Sequence, residues 1–334
     1  MRYDERFPET YERIFFPPDV GVFLSCVRSI TPSLDPAKRS VAEAFEKNLV
    51  SSMSVASLPF RMAESSVLDR RFQAVYMAQR IRSRNLKDKG SSEEECEKWA
   101  LQTARKIFAE ELAKGGSNPP LGDIPGQVLA DLTQSLKNPE FESSTLELLR
   151  QCTVLCWGAL EVLASDLFVA MLNENPRITA ALLRDPRTRS FYQPRDFASA
   201  LEERSYNLSA CMGEVLLGQH RMDDVDTLRA VFDVVLPIDP GSRALLTSEL
   251  LWRISQDRNL IVHRRGVVDR QYVASTGSEL PPGAPLEISA GRYEEYLSFV
   301  RNLGCGLLAA AARGKVPEEG AESGKGGEAG SGPL

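Results

Sequence analysis

The sequence predicts an all-α protein in which helices fill nearly every ordered segment. Three observations carry that expectation. Apolar residues recur at helical spacing through most of the chain, two Ser-x-x-Glu capping boxes open apolar runs, and the Gly/Pro-dense stretches fall between periodic segments. The composition is globular, with 43% hydrophobic and 26% charged residues, and a length of 334 residues suits two structural regions better than one. With 40 basic and 46 acidic residues the formal net charge is -6. That excludes a protein that coats nucleic acid through a general positive field, so any nucleic-acid contact is local.

The opening MRYDERFPETYERIFFPP mixes charges with aromatics and lacks the basic end and apolar run of a signal peptide. No later stretch approaches ~18 uninterrupted apolar residues, so a cytoplasmic location without membrane contact is expected. Val67, Leu68, Phe72, Val75, Tyr76 and Ile81 mark the first strongly periodic helix, with Arg70, Arg71, Arg80, Arg82 and Arg84 around them. The arginines form either a basic patch or a solvated face balanced by Glu64, Asp69 and the acidic run from Glu93 to Glu97. Ser92 and Glu95 cap the next helix, whose stripe is Trp99, Ala100, Ala104, Ile107, Phe108 and Leu112, with Gly115-Gly116 as its stop. Residues 115–126, GGSNPPLGDIPG, read as a connection, and the boundary of a helical N-terminal region is placed at residue 138.

The second region, residues 139–312, opens with the capping box of Ser144 and Glu147 and a long apolar helix ended by Pro176. Its stripe of Leu148, Cys152, Leu155, Cys156, Leu160, Leu163, Leu167 and Met171 marks it as the central core helix. Residues 177–240 read as shorter helices and loops, with a turn at Asp239-Pro240-Gly241. A single helix follows Ser242, with Leu246, Leu250, Ile254 and Ile261 on one face and Gly266 as its stop. Short extended pieces lead to a last helix buried through Tyr293, Tyr296, Val300, Leu303 and Leu307. The tail, residues 313–334, is Gly/Glu-rich and too polar to offset the entropy of ordering, so disorder is expected. The six cysteines, Cys26, Cys96, Cys152, Cys156, Cys211 and Cys305, are scattered as reduced core thiols are, and no disulfide framework is expected. Cys152 and Cys156 share a helix face but lack the further ligands that zinc needs, so no metal and no cofactor are expected.

The residues that carry chemistry are Arg258, Asn259 and His263. Imidazole moves protons near neutral pH, which suits His263 to a ribose-phosphate, or else to a cap near the helix end. The Arg258 guanidinium binds phosphate and stabilises the charge that builds on five-coordinate phosphorus, and Asn259 is a neutral orienter. On an ideal helix Asn259 and His263 lie almost in line, whereas Arg258 points well around the cylinder. Two copies of the helix about a two-fold axis would therefore make a fuller site, with Arg264 and Arg265 on flanking phosphates, and a homodimer is expected. His220, beside Arg221 in a polar stretch, reads as surface.

The segment DRNLIVHRRGVVDRQYV resembles the stretch carrying the Arg-x4-6-His motif of the HEPN superfamily, on Arg258, Asn259, His263, Gly266 and Asp269. LEVLASDLF resembles the first-helix pattern of RiboL-PSP-type HEPN relatives, with Glu161 and Asp166 in the acidic positions. The resemblance covers roughly residues 144–312 and departs from it in the greater length of residues 177–240. It implies an up-and-down helical bundle that dimerises and cleaves RNA without metal, leaving a 2′,3′-cyclic phosphate. His263 is then the acid/base, Arg258 the phosphate binder, and Glu161 either positions one of them or forms a structural ion pair. It also implies a toxin or phage-defence role, and because an unregulated RNase harms its host, restraint by a cognate antitoxin or inhibitor or by residues 1–138 is expected. The alternative is a non-catalytic HEPN scaffold or RNA/nucleotide-binding adaptor.

Overall fold

The computed structural model describes residues 4–87, 92–113, 123–192, 199, 202 and 211–314, and among them it contains helices and no strand. In chain order the helices are α1 (Pro8–Arg13), α2 (Val20–Phe23), α3 (Ser25–Ile30), α4 (Pro36–Ala56), α5 (Leu58–Lys87), α6 (Glu93–Ala113), α7 (Ile124–Leu136) and α8 (Pro139–Glu174). After α9 (Ile178–Arg184) come α10 (Met212–Gln219), α11 (Val225–Val235), α12 (Pro240–Leu246), α13 (Glu249–Arg264), α14 (Arg270–Thr276) and α15 (Ala290–Arg313). The all-α expectation holds. The chain divides into two compact units that interleave in sequence: Met1–Ser25, Ala44–Leu160 and Glu249–Arg301 form the first, and Cys26–Glu43, Glu161–Ser248 and Asn302–Leu334 the second. The expected disordered tail lies, from residue 315, outside the described residues.

In the first unit α5 packs on α6 and α7, and α1 on α7. Val67, Val75, Ala104, Val128 and Leu132 form a core there, and Phe72 meets Phe108 edge-on at 5.5 Å. The capping box at α6 is reciprocal: the Ser92 N–H donates to Glu95 Oε2 at 2.8 Å and the Glu95 N–H to Ser92 Oγ at 3.2 Å. Three residues of the expected stripes, Ile81, Trp99 and Leu112, are exposed, because the contact seam between the helices is narrower than the apolar face of each. Arg70 pairs with Asp131 and Arg71 donates to Gln127, which ties the middle of α5 to α7. Part of the supposed connection is in fact helix. Asp123 caps α7, accepting from the Gly126 N–H at 3.0 Å, with Pro125 in the first turn.

The long helix α8 starts at Pro139, five residues before Ser144. Asn138 is the capping side chain, its Oδ1 accepting from the Glu140 N–H at 3.0 Å, and the Ser144 hydroxyl donates to the Glu140 carbonyl inside the helix. By length and composition α8 passes as a membrane span, but half of its most apolar window is buried, and the core helix of a soluble protein passes the same test. Cys152, Cys156, Trp157 and Leu160 are buried, whereas Leu155 of the expected stripe is 45% exposed. Burial pushes the Cys152 thiol up to about 12 and raises Cys156 further, so both stay protonated and unreactive. Ser52 and the Tyr293 hydroxyl hydrogen-bond at 2.7 Å beside them.

In the second unit α11 packs on α9 and α12. Gly213 opens α10 where a Cβ would come within 2.5 Å of the Val169 backbone, and its N–H donates to Asn173 Oδ1 at 2.9 Å. Gly213→Ala is expected to cost about 1–3 kcal/mol in urea unfolding, because backbone rather than a movable side chain fills the space. The Asp239-Pro240-Gly241 segment is the start of α12, not a free turn. Asp239 caps it by accepting from the Ser242 N–H at 3.0 Å and hydroxyl at 2.8 Å. These bonds hold the Asp239 pKa down at about 2. A depressed carboxyl contributes stability above its unfolded pKa of roughly 3.9 and loses it as pH falls toward 2. Asp239→Ala is expected to lose about 1 kcal/mol at neutral pH, with a smaller difference from wild type in acid unfolding near pH 2.

Two further expectations are corrected in this unit. Cys26 and Cys305 are joined in a disulfide across 279 residues of sequence, because α3 and α15 bring their Cα atoms to 6.4 Å, a proximity that scattered positions do not announce. His220 is not free surface. Its ring stacks on Phe191 at 4.1 Å, and Nε2 lies 2.8 Å from the Thr227 hydroxyl, which in turn bonds Asp224.

Candidate active site

The expected single helix after Ser242 is two. The chain breaks at Thr247-Ser248, and α13 alone carries Arg258, Asn259 and His263. Its buried face is Leu251, Ile254, Leu260 and Ile261. Asp257 lies on that same face with 0% exposure. Its carboxylate accepts from the hydroxyls of Tyr272 (2.6 Å) and Tyr296 (2.5 Å) and from the Arg292 guanidinium (2.6 Å). A buried charge is tolerated only when paired and hydrogen-bonded, and Asp257 is both. Burial and the nearby Asp257 raise the pKa of Tyr272 and Tyr296. Burial opposes the charge of Arg292, but Asp257 and the tyrosines outweigh it and raise its pKa. Sequence reading passed over this cluster, although its signal is visible: an acid standing three residues after Ile254 and four before Ile261, on the apolar stripe of a helix, needs a partner.

The C-terminal end of α13 is closed by two successive left-handed residues, Arg265 (φ 54) and Gly266 (φ 71). The Gly266 N–H donates to the Leu260 carbonyl at 3.1 Å, and the Gly266 carbonyl accepts from the Leu286 N–H at 2.7 Å. A single bridge, Val267 to Pro285, and the Arg150 guanidinium on the Leu286 carbonyl (2.7 Å) pin the returning chain. This is the stop expected at Gly266, reached one residue early by an arginine.

Asn259 and His263 line one open cleft of about 330 Å³ with Gln256, Arg264, Gln271 and Tyr272. Its far wall is α14, capped by Asp269, which accepts from the Tyr272 N–H at 2.8 Å and pairs with Arg264 at 3.4 Å. Arg258 is not among the lining residues. It points around the helix as its position dictates, and its Nη1 donates to Asn259 Oδ1 at 2.9 Å. His263 is exposed. The six expected site residues therefore separate. Asn259, His263 and Arg264 share the cleft, and Arg258 reaches it through Asn259. Arg265 lines a different cavity with Glu147, Gln151 and Val262. Glu161 belongs to the second unit, where it lines a cavity with Ser165, Glu214, Arg221 and Asp223. Asp166, in the same unit, has its pKa raised by partial burial.

Among the described residues no three His, Cys, Asp or Glu side chains gather as metal ligands. Chemically the cleft offers an exposed imidazole for proton transfer, amide groups for orientation and a guanidinium one hydrogen bond away. The chain matches no protein-family model, no curated protein and no solved structure.

Proposed function

We propose that the chain is a metal-independent endoribonuclease of HEPN type. The observation that carries this reading is the meeting of Asn259 and His263 in one cleft, with the Arg258 guanidinium held on Asn259. In the reaction His263 takes the proton from a ribose 2′-OH, the 2′-oxygen forms a bond to the adjacent phosphorus, and the bond to the 5′-oxygen breaks. A proton passes to the departing 5′-oxygen, leaving a 2′,3′-cyclic phosphate and a 5′-hydroxyl, with no co-reactant consumed. Arg258, freed from or sharing its bond to Asn259, stabilises the extra charge on phosphorus.

A homodimer completes the site. Exposed apolar side chains of the same unit support this, since Val262 of α13, which lines the cavity of Arg265, is 48% exposed and Leu155 and Val267 are exposed as well. RNA is the substrate, and a toxin or phage-defence role with a cognate inhibitor accords with an activity that harms its host. The same apolar surface serves equally a non-catalytic dimeric scaffold or adaptor, which is the second reading.

Incubating a mixed pool of structured and single-stranded RNAs with the protein in EDTA separates the two. Cleavage by wild type, with cyclic phosphate ends, that is absent from His263→Ala supports the nuclease. An intact pool in the presence of a folded, inhibitor-free dimer supports the scaffold.

A further inference from the structure

We infer that the α13–α14 cleft is a reading pocket for one unpaired nucleobase, with Gln256 and Gln271 as its specificity-determining residues and adenine as the preferred base. The inference rests on the nuclease reading for its biological meaning, though its binding test does not.

The Tyr272 hydroxyl is bound to Asp257, the Asp269 carboxylate is shared between the Tyr272 N–H and Arg264, and Asn259 Oδ1 accepts from Arg258. The carboxamides of Gln256 and Gln271 and the ring of His263 have no hydrogen-bond partner among the described residues. Gln256 sits one helical turn before Asn259 and two before His263, so the three stack along one line of α13, and Gln271 faces them from the second position of α14. The two charged side chains that line the cleft, Arg264 and Asp269, pair with each other at 3.4 Å.

A cleft whose lining combines three neutral amides with one paired Arg264 and Asp269 suits a neutral, hydrogen-bonding ligand and not a cluster of phosphates. Its volume, about 330 Å³, lies at the small end of the range that holds small organic ligands. Each carboxamide presents a donor and an acceptor side by side, which is the pairing that matches the N6 donor and N7 acceptor of adenine. In a paired helix of RNA these edges lie in a groove too deep and narrow for side chains, so the base must come from a single-stranded segment. His263, at the end of the same line, then stands beside the ribose-phosphate attached to the base that is read.

The test measures preference, not total activity. Binding of fluorescent short oligoadenylate and oligouridylate to the full-length His263→Ala protein, which leaves the RNA intact, is compared with Gln256→Ala and Gln271→Ala placed on that background. A preference for oligoadenylate of about tenfold or more, reduced severalfold by either glutamine change, is the expected result. Equal binding of the two oligomers, no binding of either, or a preference that survives both changes overturns the inference. Cleavage-site mapping with the wild type keeps the two proposals apart. An adenine preference in binding without cleavage keeps the reading pocket and removes the nuclease. Cleavage without base preference does the reverse. Thermal melting of each variant guards against misfolding, and Gln271→Asn, which keeps the amide on a shorter arm, is expected to retain part of the preference.

Discussion

Asp257→Ala is expected to destabilise the protein by about 3–5 kcal/mol, measured by urea unfolding at neutral pH. The residue is fully buried and accepts from two tyrosine hydroxyls and one guanidinium, so its removal strands the Arg292 charge and two phenols without their common acceptor. Asp257→Asn keeps the volume but removes the charge that compensates Arg292, and is expected to recover only part of the loss. Tyr272→Phe deletes one hydrogen bond and is expected to cost about 1 kcal/mol, since Tyr296 and Arg292 still hold the carboxylate. A small effect of Asp257→Ala, within about 0.5 kcal/mol, would mean that water reaches the cluster and that it does not lock α13 to α15.

The largest functional effect is expected at His263. Its replacement by alanine should lower RNA cleavage by about 100- to 10,000-fold, the usual worth of a positioned acid or base. The ring is exposed, so stability should move by no more than about 0.5 kcal/mol. That contrast with Asp257 would separate a residue that does chemistry from one that holds the helix. Arg258→Ala should also suppress cleavage. Arg258→Lys should rescue it poorly, because an ammonium cannot reproduce the planar fork that reaches Asn259 and phosphate together. Unchanged cleavage by His263→Ala would return the histidine to the capping role open to it from sequence.

The helices were legible in the sequence because helix signals are local. The box of Ser92 and Glu95, the stripe of Tyr293, Tyr296, Val300, Leu303 and Leu307, and the stop at Gly266 all depend on residues within a few turns of one another. Helix starts were less secure. Ser144 imitates a cap inside α8, and Asn138, which does the capping, is followed by a proline that reads equally as a breaker. What stayed hidden was pairing across distance. The Cys26–Cys305 bond, the stack of Phe191 on His220 and the Asp257 cluster join segments whose proximity no local pattern specifies. The same limit shaped the site. Spacing placed Asn259 in line with His263 and turned Arg258 away, as the cleft has it, but the opposing wall of α14 with Gln271 comes from the fold alone.

The doubly left-handed closure after Arg264 bears on motion near the candidate histidine. Helix termini are ordinarily the first parts of a protein to fray, and His263 sits in the last turn of α13. Here the Gly266 amide reaches back to Leu260, its carbonyl is held by Leu286, and the returning segment is fastened by Arg150. The loss of freedom in that final turn is thereby met during folding, before any ligand arrives. An incoming molecule finds the imidazole on a settled backbone and need only arrange a side chain, a state of readiness that favours tight and selective association over slow adaptation.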